Sequence, residues 1–384
     1  MKMLRLPAGI SEEYFLGKIW QQSPLLMRNA LDVEKFPCKS ELYGLAENDT
    51  VESRIVRELA SSPFWQLEEG PIKSGFDKKF GESRWTLLLQ DMDKHLPQLT
   101  SILHLFHFIP RWRIDDIMIS YAADQGSVGP HVDEYDVFLI QAHGQRRWKI
   151  DTRAIENNNL LPDIDLRILR QFETEQEWLL EPGDILYLPP GVAHWGVAEG
   201  ECITASVGFR APTSHDLLEG WVGHLLETGQ AERFSDPQRS IIDPQNAAEI
   251  SPDDIDSLIK CLNSALPQGK EAMAEWLGCY LSEPKPHLYP ELPDSDFDVA
   301  VIAASGIRRH GFSQLLYRKG DEEITLYADG ESFQLPPELL EFVAMLSNNE
   351  ALSAEELAPW LQHELIIERL ESLYELGVIL RGND

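Results

Sequence analysis

The sequence predicts a mixed α and β chain: a closed or double-sheet β core, then an all-helical section, then a small domain of short strands and helices. Three observations carry that reading. Between residues 113 and 210, short apolar runs alternate with Gly, Pro and Asn turns, as in Leu160-Leu161-Pro162-Asp163 and Glu199-Gly200-Glu201. After Ala211-Pro212-Thr213 the apolar spacing becomes helical, with Leu217, Leu218, Trp221, Val222, Leu225 and Leu226 forming one stripe. Beyond Pro284-Lys285-Pro286, short strands separated by Gly320-Asp321 and Asp329-Gly330 turns precede further helices. The expected domains are 1–212 with its core at 113–210, a helical section 213–285, and a C-terminal domain 286–384.

Taken in order, Ser11-Glu12-Glu13 ahead of Tyr14, Phe15 and Ile19 reads as a capped helix ending near Trp20, and Pro24 to Arg28 as a strand. Glu52 to Leu59 is expected to be helical, Trp85 to Leu89 a buried strand, and Asp93 to Phe106 a helix. Arg113 to Tyr121 is the strand that leads into the core. Helices are expected over Asp216 to Gln230, Pro252 to Leu266 and Ala272 to Leu281; their broad apolar faces suit a small core or a symmetric homodimer. In the last domain, strands at Gln314 to Tyr317, Ile324 to Tyr327 and Glu331 to Leu335 precede helices at Pro337 to Leu346, Ala354 to His363 and Ile366 to Leu376, with a closing strand at Val378 to Leu380. That order is winged-helix-like.

Composition limits the functions open to the chain. Of 384 residues, 33 are Lys or Arg and 64 are Asp or Glu, a formal charge of -31 that repels nucleic acid and acidic membranes and attracts basic partners. The last domain has 6 basic against 19 acidic residues from Pro286 onward, so docking to protein or a structural role is expected there rather than DNA binding. The four cysteines, Cys38, Cys202, Cys261 and Cys279, form no C-x-x-C pair, which fits a reducing compartment. No run of about 18 apolar residues occurs. A soluble cytoplasmic protein is expected.

The chemistry concentrates in the core. In Gly129-Pro130-His131-Val132-Asp133 an imidazole and a carboxylate stand two residues apart, and on an extended segment both face the same side. Among the 11 histidines only His131 is followed two residues later by a carboxylate. His194 ends a Pro-Gly-Asp turn, an apolar strand and a Pro-Pro-Gly turn. Two histidines and one carboxylate on one side of a metal leave other positions open, the arrangement of a non-haem Fe(II) oxygenase of the double-stranded β-helix type. The bland alternative makes His131 and Asp133 a surface pair and His194 a core histidine.

Arg146 shifts that balance. In Arg146-Arg147-Trp148-Lys149-Ile150 the face bearing Trp148 and Ile150 also bears Arg146. An inward guanidinium requires an anion, either the distal carboxylate of a dicarboxylate co-substrate or an internal acid such as Asp116. Ser120 on the preceding strand is placed to donate a second hydrogen bond to such a carboxylate. Ser206, on the strand after His194, is a further polar candidate.

The segments His131 to Phe138, Arg146-Arg147-Trp148, Pro189 to Gly196 and Ser206 to Pro212 closely resemble the JmjC-type ribosomal oxygenases, in particular the bacterial branch, and the likeness extends to Phe15 to Arg28 and to the order of regions. The resemblance implies a jelly-roll JmjC domain of the cupin class, a helical dimerisation domain and a winged-helix domain. It further implies an Fe(II)- and 2-oxoglutarate-dependent dioxygenase that hydroxylates an arginine side chain of the sixteenth large-subunit ribosomal protein. By motif, His131, Asp133 and His194 become iron ligands and Arg146 the partner of the distal carboxylate of 2-oxoglutarate, with Ser120 beside it. Asp116, Met118, Tyr135 and Ser206 are then expected to grip the substrate arginine, through a carboxylate, a soft thioether, an aromatic face and a hydroxyl. A basic ribosomal protein suits the acidic charge. The competing readings are a JmjC hydroxylase of Lys or His in another protein, a metal-binding cupin without turnover, and a transcription factor that senses 2-oxoglutarate.

Overall fold

The computed structural model describes residues 4–61, 64–153, 159–162, 164, 166–229, 233–236, 243–246, 248–266 and 269–383. Asp163, Gln230 and Asp384, which end predicted segments, lie outside them. The chain forms two compact units, Met1–Ala211 and Pro212–Asp384.

The first unit opens with helix α1 (Glu12–Lys18), whose N-cap Ser11 accepts a hydrogen bond from the Tyr14 N–H at 3.2 Å. Strand β1 (Leu25–Met27) and helix α2 (Lys39–Ala46) follow. Residues 52–59 are not helical: Ser53–Glu58 is strand β2, paired on both sides, with β3 (Trp65–Glu69) and β4 (Trp85–Leu89). The β-branched pair Ile55 and Val56 sits in mid-sheet, and two neighbouring strands outweigh a short helical pattern. Helix α3 (Phe76–Phe80) precedes β4. The single helix expected over 93–106 is instead α4 (Met92–His95), α5 (Pro97–Leu103) and a 3-10 turn over His104–Phe106, because Pro97 cannot continue α4 and opens the next helix at its first position.

The remaining strands are β5 (Ile114–Ala122), β6 (His131–Val132), β7 (Asp136–Asp151), β8 (Gln176–Leu180), β9 (Ile185–Leu188) and β10 (Ala193–Phe209). Their pairing runs β1-β9-β7-β10-β5-β4-β2-β3, with β6 on β10 and β8 on β7. The two long strands serve two sheets. Near its start β7 pairs with β9, and further along with β8; β10 pairs first with β6 and then with β5. Both change sheet near glycines in the left-handed region, Gly144 at φ 63° and Gly200 at φ 71°. A Cβ on Gly144 would lie 2.2 Å from the Glu201 carbonyl oxygen, so the crossing point admits no side chain. This is the expected double sheet.

Period 2 then divides the cores. On β7, Phe138 and Ile140 point to a large cluster with Phe15, Phe106, Tyr187 and Phe209, while Val137 and Leu139 point to a smaller one with Trp148, Ile150, Leu180, Leu186 and Leu188. The second cluster lies beside the site. Asp184 of the Pro-Gly-Asp turn accepts hydrogen bonds from the Arg28 side chain and the Asn29 N–H, which holds the end of β1 against the start of β9.

The second unit begins with α6 (Ser214–Thr228), α7 (Pro252–Ser264) and α8 (Lys270–Ser282), the first two opened by capping boxes at Thr213 and Ser251. Trp221 of α6 packs at a tilt against Trp276 of α8, with ring centroids 5.0 Å apart. Helix α9 (Val299–Ser305) and strands β11 (Ile307–Arg309), β12 (Leu315–Lys319), β13 (Ile324–Ala328) and β14 (Glu331–Leu335) follow. Helix α10 (Leu340–Asn348), strand β15 (Ala351–Leu352), helices α11 (Ala354–Leu357) and α12 (Glu364–Glu375) and strand β16 (Ile379–Arg381) complete the chain. The helix expected over 354–363 stops after Leu357, since Pro359 has no N–H to donate to the Glu355 carbonyl and so breaks the helical ladder. Strands β12-β13-β14 and β15-β11-β16 form two three-stranded sheets around a core containing Phe342, Leu346, Leu370 and Leu373. No helix among the described residues is long and apolar enough to cross a membrane.

Candidate metal centre and its cavity

The two sheets of the first unit enclose a cavity of about 400 Å³. His131 of β6 faces His194 of β10 across an antiparallel pair, with ring centroids 4.2 Å apart. Asp133 follows β6 at once, and its Oδ2 lies 3.5 Å from His194 Nε2. One ligand atom each from His131, Asp133 and His194 falls within 4.8 Å of the others, the spacing that a single metal ion needs.

Each ring is oriented by main chain. His131 Nδ1 is 3.0 Å from the Gly129 carbonyl and His194 Nδ1 is 3.0 Å from the Val192 carbonyl. A carbonyl accepts only, so both Nδ1 atoms carry the proton and both Nε2 lone pairs are left for a metal, as an outer shell around a metal site should arrange. Burial, then the neighbouring His131, pulls the His194 imidazole down to about 4, which keeps it neutral at ordinary pH.

Behind the histidines, Arg146 is 2% exposed. It donates to Ser120 Oγ at 3.1 Å, Thr204 Oγ1 at 3.4 Å and the Gly196 carbonyl at 3.5 Å. Its Nε has no hydrogen-bond partner, and no carboxylate among the described residues pairs with it. The internal-acid alternative fails because Asp116 Oδ2 is turned to the Gln90 side-chain amide at 2.7 Å and to the Asp91 N–H at 3.0 Å. Desolvating a guanidinium costs several kcal/mol, and three long hydrogen bonds to neutral acceptors recover only part of it. The balance is short by an anion. A carboxylate arriving in the cavity would supply it, so the residues present fit a metal ion together with an acid that spans from the metal to Arg146.

All nine predicted site residues line this one cavity: His131, Asp133, His194, Arg146 and Ser120, with Asp116, Met118, Tyr135 and Ser206. Tyr135 remains 43% exposed at the mouth. Desolvation raises its hydroxyl pKa, and the carboxylates of Asp133, Asp116 and Asp115 raise it further, with Arg54 opposing. Sequence reasoning missed Gln90, Asp115, Thr204 and Gly208, which also line the cavity. Thr204 was within reach, being two residues from Ser206 on the same strand face. Asp115 was not, because alternation sends it away from Asp116. The register of β5 on β10 runs from Val207 opposite Ile117 to Phe209 opposite Ile114, so Asp115 and Asp116 together face Gly208. That bulge turns two successive carboxylates toward the cavity.

Comparison with known proteins places this geometry. Residues 101–217 match the JmjC domain family model and residues 262–379 the ROXA-like winged helix. The chain is 33% identical over 374 residues to the ribosomal protein uL16 3-hydroxylase of Escherichia coli K12, a match covering 94% of this chain and 95% of that one. The chain belongs to the JmjC-type ribosomal oxygenase family. A probable ribosomal oxygenase of Haemophilus influenzae is 38% identical over 218 residues, covering 56% of this chain and 53% of that protein. The solved structure of the Escherichia coli ribosomal oxygenase YcfD in complex with cobalt and 2-oxoglutarate superposes with a TM-score of 0.82 at 30% identity, covering 98% of this chain and 99% of that chain. The expected class, a metal- and 2-oxoglutarate-dependent oxygenase with a jelly-roll domain and a winged-helix domain, is met.

Proposed function

We propose that this ribosomal oxygenase hydroxylates an arginine side chain of ribosomal protein uL16, with Fe(II) held by His131, Asp133 and His194. The observation that carries the co-substrate assignment is the Arg146 guanidinium, buried without a carboxylate in the same cavity as the three ligands. With its co-substrates bound, the metal supplies oxidative decarboxylation of 2-oxoglutarate by dioxygen and transfer of one oxygen atom to a C–H bond.

The protein's part is to bind, orient and exclude water. Arg146 takes the distal carboxylate of 2-oxoglutarate and so fixes which end of the acid reaches the metal; Ser120, whose Oγ accepts from Arg146 and donates to the Thr204 carbonyl at 3.3 Å, becomes a second donor when its hydroxyl turns to that acid. Trp148, centred 5.7 Å from the His194 ring and 5.1 Å from the Arg146 guanidinium carbon, walls this end against water. Beside Gly208, Asp115 and Asp116 offer negative charge to a guanidinium and Tyr135 an aromatic face, with Met118 and Ser206 lining the same cavity along its stem. A basic substrate is drawn by the net charge of -31. The same charge leaves the second unit ill suited to nucleic acid, and we place the protein in the cytoplasm with its substrate. The helical section 213–285 is the proposed homodimer contact.

The test is succinate formation with Fe(II), 2-oxoglutarate and oxygen, with and without an arginine peptide of uL16, followed by the peptide's mass. A gain of one oxygen atom, reduced to background in His131→Ala and Asp133→Ala, is expected. Succinate without peptide oxidation would keep the oxygenase and discard the substrate.

A further inference from the structure

Gly208 is the last residue but one of β10, still paired with Val137 of β7, and a glycine within a strand pairing often marks a bulge or the close approach of a ligand. Its backbone does not require one, as its φ is not in the left-handed region. Nor does packing. A Cβ built there would lie 3.5 Å from Asp116 Oδ1 and 3.8 Å from Tyr135 Cε2, both ordinary contact distances, with nothing nearer. Gly196 on the same strand is different: its Cβ would fall 2.7 Å from Trp148 and 2.8 Å from Arg146 Nε, so close packing alone accounts for that glycine. What the absent side chain of Gly208 leaves is open cavity between a carboxylate and an aromatic ring.

We propose that Gly208 is a specificity-determining residue, whose missing side chain keeps a flat slot open between Asp116 and Tyr135 for the guanidinium of the substrate. The inference rests on the arginine reading above. A guanidinium is planar and stacks on an aromatic face while its edge donates to a carboxylate, so a slot walled by one of each selects it by shape. The bulge opposite Gly208 strengthens the fit by adding Asp115 to the same end. An ammonium is compact rather than flat and depends less on the width of the slot.

The experiment compares wild type with Gly208→Ala, using uL16 peptides with the target arginine kept or replaced by lysine. Binding is measured with 2-oxoglutarate and a redox-silent divalent metal, and hydroxylation is measured with Fe(II). The expected result is a rise of about tenfold in Kd and KM for the arginine peptide, a change below about threefold for the lysine peptide, and an unaltered Kd for 2-oxoglutarate. A melting temperature close to wild type separates this from misfolding, and Gly208→Ser, also small, should behave alike. Equal handling of the arginine peptide by wild type and Gly208→Ala would overturn the slot while leaving the arginine reading intact. Equal losses for both peptides and for 2-oxoglutarate would also overturn it, as general damage to the cavity. Absence of arginine oxidation by wild type would remove the parent reading and the slot with it.

Discussion

The two ends of the cavity are built differently. At the inner end Arg146, Ser120, Thr204 and His194 are each 4% exposed or less, and all four project from paired strands, Thr204 just past a register shift between β10 and β7. At the outer end Tyr135 is 43% exposed, Asp115 and Asp116 sit on a bulge, and Asp116, as buried as Ser120, is held by the turn after β4, where Asp91 takes the left-handed conformation at φ 55°. The difference suits the ligand proposed for each end. A small dicarboxylate and a metal reward a rigid, dry, uniformly shaped site, whereas a side chain arriving on another protein must enter from solvent. Regular strands suit the first, and bulges and turns that re-aim single side chains suit the second.

The sharpest way to break the inner end is Arg146→Met. Losing a bidentate, charge-assisted pair is expected to raise KM for 2-oxoglutarate by about 100-fold or more. The same variant should melt above wild type when no co-substrate is present, because it removes a buried charge that has no counter-ion. Saturating 2-oxoglutarate at about 100 times Kd should add roughly 2.7 kcal/mol to the wild-type protein in the presence of metal and far less to the variant. A lower melting temperature for ligand-free Arg146→Met would show that the guanidinium is a structural element, and the comparison between the two ends would lose its basis.

A smaller effect, confined to the mouth, is expected from Gln90. Its amide fixes Asp116 Oδ2 from one side while the Asp91 N–H fixes it from the other. Gln90→Ala should raise peptide KM by about tenfold, the worth of one hydrogen bond to a charged group, with KM for 2-oxoglutarate within about twofold of wild type. Gln90→Glu should do more harm, because it sets a second carboxylate against Asp116 and raises the proton affinity of the pair. Equal shifts in both KM values would mean that the two ends are one mechanical unit.

That contrast also explains what the sequence disclosed. His131, Asp133, His194 and Arg146 follow from period 2 and from the chemistry of their side chains, and the double sheet follows from the spacing of turns. Residues 52–59 misled because an eight-residue stretch with Ile55 and Val56 fits a helix face about as well as a strand, and only the pairing with β3 and β4 decides it. Asp115 stayed hidden since a bulge is a property of two strands together. Gln90 and Gly208 carry no local signal: one acts through a turn and the other through an atom it lacks. Regular structure is written in periodicity, whereas the irregular positions that adapt a site to its substrate are set by tertiary contacts.

The mildest expected effect on catalysis comes from outside the first unit. Helix α7 turns Ile255, Leu258, Ile259 and Leu262 outward at i, i+3, i+4 and i+7, between 47% and 67% exposed, an amphipathic face left uncovered by the described residues of its own unit. A second copy of this chain would bury it. Leu262→Glu combined with Ile259→Glu is therefore expected to convert the proposed homodimer to monomers in sedimentation velocity, since charges placed in an apolar interface are left unpaired and desolvated. Every residue that lines the cavity belongs to Met1–Ala211, so kcat per chain on a short peptide should change by less than about twofold. An unchanged sedimentation coefficient would place the dimer contact elsewhere or remove it; a collapse of peptide turnover would show that assembly reaches the mouth of the cavity.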